Sequence, residues 1–73
     1  MVCEVSFRSK HGKTVILRVY EDRVEVTGDF FTTEEDLSKL EKCLAEGNRD
    51  CNAFILGVDI NELFNAMEEC KKP

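Results

Sequence analysis

The sequence predicts an α+β fold, a three-stranded antiparallel meander followed by two or three helices packed on one face. Three observations carry that expectation. Up to Thr27 the apolar residues alternate with polar ones, which is the period of a half-buried strand. The links between the alternating runs are too short for the crossover of a dozen or more residues that parallel neighbours need. From Glu34 onward the apolar residues recur every three or four positions, the period of an amphipathic helix.

In the first run Cys3, Val5 and Phe7 alternate with Glu4, Ser6 and Arg8. Ser9-Lys10-His11-Gly12 then reads as a turn, with Gly12 supplying the permissive backbone. Val15, Leu17 and Val19 form the apolar side of a second strand, leaving Ile16 and Tyr20 on the other face. Glu21-Asp22 makes a short connection to a third strand, in which Val24 and Val26 alternate with Arg23, Glu25 and Thr27.

The stretch Thr27-Gly28-Asp29-Phe30-Phe31-Thr32-Thr33-Glu34-Glu35-Asp36-Leu37 converts strand to helix. Gly28 lets the strand turn. Thr33 is placed to cap the first helical turn, and Asp36 to reach back as in a capping box. Glu34, Glu35 and Asp36 put negative charge on the positive end of the helix dipole. Phe30 and Phe31 are neighbours in an extended segment and so face opposite ways. One ring is expected in the core, and the other is free for a partner.

The first helix is expected over Glu34 to Glu46, with Leu37, Leu40 and Leu44 as its buried stripe and Gly47 ending it. Cys51, Phe54, Ile55 and Val58 have helical spacing, which predicts a short helix over 50–56; a buried strand is the alternative, because Ala53-Phe54-Ile55-Leu56 is compact and apolar. After Gly57, Asp59 with Glu62 resembles a helix start. Ile60, Leu63, Phe64, Met67 and Cys70 then make an amphipathic stripe, closed by Lys71 and Lys72.

At 73 residues the chain is one domain, 1–73, near the lower limit for a chain held only by its own core. A composition 42% hydrophobic and 34% charged is that of a globular protein rather than a disordered one. No apolar run approaches the roughly 20 residues of a membrane span, and the residues after Met1 read as strand rather than signal peptide. The expected location is the cytoplasm. Five basic residues up to Thr27 face four acidic ones, and from Gly28 five face eleven, a balance that disfavours nucleic-acid binding. Arg8, Lys10 and Lys13 form a local basic cluster that could meet one anion. The cysteines at 3, 43, 51 and 70 lack zinc-ligand spacing, and His11 is the only histidine. With no export signal to support disulfides, they are read as reduced thiols serving as small hydrophobes. Cys51, beside Asn48-Arg49-Asp50, is the most plausible reactive thiol.

Gly28-Asp29-Phe30-Phe31, followed by Glu34-Glu35, Leu37, Leu40-Glu41, Leu44 and Gly47, resembles the accessory domain of lipoate–protein ligases. The likeness extends upstream through Gly12-Lys13 and downstream through Leu56, Asp59 and Glu62-Leu63-Phe64, so it covers about 10–67. His11 stands where the family often has glycine, and an upstream proline common in the family is absent. The resemblance implies a non-catalytic small subunit of a split ligase. A separate catalytic subunit would hold ATP and lipoate and form lipoyl-adenylate, while this chain alone binds no cofactor. It implies a site at the partner or near the adenylate drawn from Gly12, Lys13, Gly28, Asp29, Phe30 and Phe31. The exposed ring would dock and Lys13 would assist adenylation. Read from the residues alone, the chain is an interaction module without catalytic residues, metal ligands or a phosphate loop. The other readings are a stand-alone or self-associating module unrelated to lipoate, and, more distantly, a thiol-based scaffold resembling iron–sulfur assembly proteins.

Overall fold

A computed structural model describes residues 2–72. Three strands come first: β1 (Cys3–Arg8), β2 (Thr14–Val19) and β3 (Val24–Gly28). They form an antiparallel sheet in the order β1-β2-β3, a simple meander. Val5 faces Leu17, and Leu17 faces Val26, so the alternating apolar residues fall into register across one side of the sheet. Two helices follow, α1 (Glu34–Glu46) and α2 (Ile60–Lys71), giving the α+β arrangement. Helix α1 packs against β3, and α2 against β1 and β2.

The core lies between these layers. Val15, Leu17, Val19, Val24 and Val26 from the sheet meet Leu40 and Leu44 of α1 and Leu63, Phe64 and Met67 of α2, all buried. Leu37 and Val5, at the margins, are half-buried. Among the described residues no element covers the opposite sheet face. On it Ile16 and Tyr20 are half-buried, and the Arg18 side chain donates from Nε to Glu4 Oε2 at 2.6 Å.

Local chemistry fixes the helix ends. Thr33 Oγ1 accepts the Asp36 N–H at 3.1 Å, the expected cap. The Asp36 carboxylate does not reach the Thr33 backbone; it accepts the Thr33 hydroxyl proton at 3.1 Å instead. An aspartate is one methylene shorter than the glutamate that usually closes a capping box. In α2 the longer side chain is present, and Glu62 Oε2 accepts the Asp59 N–H at 3.1 Å. Gly47 ends α1 in the left-handed region at φ 71°, and the Asn48 N–H closes back on the Cys43 carbonyl at 2.9 Å.

Two expectations are corrected. The short helix over 50–56 is not formed; the segment is extended and joins Phe31 through an isolated antiparallel bridge at Leu56. Ala53 is buried and Ile55 half-buried, whereas Phe54 and Leu56 point outward. This alternation has the two-residue period of a strand. The second correction concerns the cysteines, which are paired rather than free: Cys3 with Cys70, and Cys43 with Cys51. Because α2 packs on β1, the Cys3 and Cys70 Cα atoms lie 6.0 Å apart. The turn after α1 brings those of Cys43 and Cys51 to 6.1 Å. Both separations suit a disulfide.

Candidate functional site

Three tips of the chain meet at one end of the sheet: the β1–β2 turn, the strand-to-helix stretch after β3, and the extended segment before α2. Ser9 joins the first to the last. It is the one buried polar residue among those described, 4% exposed. Its hydroxyl donates to the Gly57 carbonyl at 2.7 Å and accepts the Lys13 N–H at 3.1 Å. A small hydroxyl at this position can serve both groups at once, as a donor and an acceptor.

The strand-to-helix stretch is tied to the same turn. Asp29 Oδ1 accepts the Thr14 N–H at 2.7 Å, and the Asp29 N–H donates to the Thr14 carbonyl at 3.2 Å. Gly28 lies so close to the Thr14 carbonyl that any Cβ would collide with it, and the Phe30 ring would sit 3.0 Å from that atom. The sequence assigns Gly28 to turning the strand; the structure adds that it leaves room for a close approach of two backbones. Phe30 is half-buried and packs against the core.

Phe31 faces the other way and is 66% exposed. Its N–H and carbonyl exchange hydrogen bonds with Leu56, at 3.2 and 2.8 Å. Such a directly opposed pair carries its side chains on the same side. Phe54 lies two residues from Leu56 and projects likewise, its carbonyl held by the Thr32 hydroxyl at 2.7 Å. Phe54 is 66% and Leu56 56% exposed, so Phe31, Leu56 and Phe54 form one uncovered apolar strip.

Lys13 borders the strip. Its stem passes over Gly57, where a Cβ would lie 2.7 Å from Lys13 Cγ. Its ammonium lies 5.7 Å from the Phe31 ring centroid, within cation–π range. Among the described residues Lys13 makes no ion pair. Two neighbouring side chains turn to Asp59 instead: Lys10 Nζ lies 3.2 Å from Asp59 Oδ2, and His11 Nε2 lies 3.6 Å from Asp59 Oδ1. The hydrogen bond from Lys10, with its charge and the bond from His11, holds the Asp59 carboxyl below its ordinary range.

Of the residues singled out in the sequence, Lys13 and Phe31 come together at this strip. Gly28 and Asp29 hold the backbone of the stretch against Thr14, and Phe30 packs on the core. Gly12 stands apart at the hairpin tip with φ 86°, its N–H bonded to the Ser9 carbonyl at 2.9 Å. Phe54 and Leu56 are additions that the helical reading of 50–56 had hidden; Ala53-Phe54-Ile55-Leu56 is apolar throughout, so no local pattern marked which two would face outward. An open cleft of about 610 Å³ adjoins Phe54, lined also by Lys10, Arg49, Asp59 and Asn61. Its cations are already paired, Lys10 with Asp59 and Arg49 with Glu68 at 2.9 Å.

No protein-family model, curated protein or solved structure compared with the chain matches it. Among the described residues no helix is long and apolar enough to cross a membrane.

Proposed function

We propose that the chain is a non-catalytic accessory subunit of a split lipoate–protein ligase, docking on the catalytic subunit through Phe31, Phe54 and Leu56. The observation that carries a docking role is the exposed strip itself. Two phenylalanines and a leucine left in water beside an unpaired ammonium are costly unless something covers them, and aromatic anchors of this kind dominate interface energies. The assignment to a ligase rests on the Gly-Asp-Phe-Phe run, its acidic helix and the Gly-Lys turn. Lys13 lies at the edge of the strip, where its ammonium would meet a phosphate of the nucleotide held by the partner and assist adenylate formation.

The chain is expected to form no lipoyl-adenylate alone and to restore its formation when mixed with a matching catalytic subunit. Pyrophosphate release by the isolated chain with ATP and lipoate would overturn the accessory role. Phe31→Ala and Phe54→Ala should each stay folded and weaken the complex by about 1–2 kcal/mol or more, as expected of an anchor. Lys13→Ala should bind nearly normally and activate poorly. If all three variants bind and activate like the parent, the site is wrong. Co-purification from the native cell separates this reading from a stand-alone or self-associating module, for which no ligase-sized chain would accompany the protein.

An ATP-dependent ligase of this kind works in the cytoplasm. Most cytosols keep thiols reduced, whereas intracellular proteins of hyperthermophiles retain disulfides. Under the ligase reading the redox state of the two cysteine pairs therefore becomes part of the function.

A further inference from the structure

We propose that the Cys43–Cys51 disulfide is a redox clamp on the docking strip, so that its reduction loosens the segment bearing Phe54 and Leu56 and weakens partner binding. The proposal rests on the docking role given above and adds a mode of control to the same surface.

The segment after α1 has no regular secondary structure of its own. Its placement depends on separate fastenings. At its far end Val58 is buried and the Gly57 carbonyl takes the Ser9 hydroxyl. In the middle are the reciprocal Phe31–Leu56 hydrogen bonds and the Thr32 bond to the Phe54 carbonyl. At its near end the covalent fastening is Cys51, bonded to Cys43, which is buried on α1. Cys51 is three residues before Phe54, so cutting this bond removes the covalent tie to α1 on that side and leaves there the buried Ala53 and the Arg49 bonds to Asn61, Asn65 and Glu68 of α2. The Cys3–Cys70 bond ties β1 to the last turn of α2 and touches none of these fastenings.

The chemistry is ordinary thiol–disulfide exchange with a dithiol reductant. A thiolate of the reductant attacks Cys51 Sγ, on the less buried residue of the pair. The Sγ–Sγ bond breaks, and Cys43 leaves as a thiolate and takes a proton. The reductant's second thiol then displaces Cys51 from the mixed disulfide. The protein gains two electrons and two protons, and the dithiol becomes a disulfide. Oxidation of the cysteine pair by a disulfide of the same class reverses the sequence.

The test compares the oxidised parent with Cys43→Ala/Cys51→Ala, both of which keep the Cys3–Cys70 bond. The readout is amide hydrogen exchange at Phe31 and Leu56, the two N–H groups of the bridge. Loss of the clamp should speed their exchange by about tenfold or more, as for a locally opened unit, while the amides of β2 stay protected. Dithiothreitol added to the parent until Cys43–Cys51 is reduced while mass spectrometry shows Cys3–Cys70 intact should do the same at those two positions. Unchanged exchange at Phe31 and Leu56 would overturn the proposal, and so would an acceleration spread equally over β2. The catalytic subunit of a lipoate ligase is then titrated with the oxidised parent and with the double variant, and the variant should bind at least about tenfold more weakly. Equal binding of both also overturns the proposal. If neither form binds while the bridge amides still respond, the ligase reading fails and the clamp on the strip stands.

Discussion

Replacing Ser9 by alanine removes one hydroxyl and breaks two constraints together, one local to the hairpin turn and one to the distant Gly57. The oxygen accepts the Lys13 N–H at 3.1 Å and donates to the Gly57 carbonyl at 2.7 Å, and the residue is 4% exposed. A hydrogen bond of this kind contributes about 0.5–1.5 kcal/mol net, so the loss of both costs about 1–3 kcal/mol. That exceeds the usual effect of a change this small, because the partners left behind are two part-buried backbone groups. Urea unfolding followed by circular dichroism should show the midpoint falling with the slope unchanged. A second readout is local. Without the tie to Gly57 the turn no longer fixes Lys13 over the Phe31 ring, and the upfield ring-current shift of the protons near Lys13 Nζ should shrink. A cost below about 0.5 kcal/mol, the range of an ordinary surface substitution, would show that neither bond holds the turn.

Other outcomes follow from the same contacts. Leu40→Ala empties a position that is 0% exposed and should cost about 2–5 kcal/mol; a melting temperature within a degree or two of the parent would contradict the packing. Gly28→Ala should cost about 1–3 kcal/mol because its methyl meets the Thr14 carbonyl, a backbone group that cannot rotate away. Cys3→Ala/Cys70→Ala opens a ring closed over a separation of 67 residues. Chain-entropy reasoning puts the loss at about 4 kcal/mol, or a fall of about 15–30 °C in melting temperature, which a thermal scan of parent and variant measures. For Asp59, a carboxyl held below its ordinary pKa contributes stability that is present above the unfolded pKa and lost as pH falls through the lower folded one. A carbon-detected titration should place Asp59 below its ordinary value, and Lys10→Ala should move it back up.

The fold was legible where phase and chemistry agree at short range. The valines of β2 and β3 and the leucines of α1 fall on one side whichever partner covers them, so the core could be named from spacing alone. The caps at Thr33 and Gly47 needed only neighbours in sequence. The segment 50–56 was not legible in the same way. Cys51, Phe54, Ile55 and Val58 match a helical stripe, while Ala53 and Ile55 match a strand, and a short apolar run supports both periods. What decides is the backbone of Phe31, some 25 residues upstream, whose N–H and carbonyl are both met by Leu56. The cysteine pairs were hidden for the same reason. An expectation about redox compartment says nothing about whether β1 and the last turn of α2 come within 6.0 Å, which only the packing of α2 on the sheet determines. For the site, Phe31 could be expected outward because Phe30 had to go in. Its neighbours Phe54 and Leu56 depended on a bridge that no local pattern announces.

The non-local character of the strip also explains how a small domain can present a defined surface at all. Phe31 comes from one tip, Phe54 and Leu56 from another and the bordering Lys13 from the third, and no tip is long enough to hold its own shape. Ser9 ties the Lys13 turn to Gly57, Asp29 ties the Phe31 stretch to Thr14, and the Leu56 backbone ties the third tip to Phe31. Each tie uses a backbone group that would otherwise lack a protein partner, so satisfying hydrogen bonds and positioning the surface are the same act. A partner that covers Phe31, Leu56 and Phe54 then meets a strip already ordered by the fold, and less of its binding energy goes into freezing loops. Substitutions beneath the strip should therefore lower affinity and stability together, whereas truncation of an exposed ring should lower affinity alone.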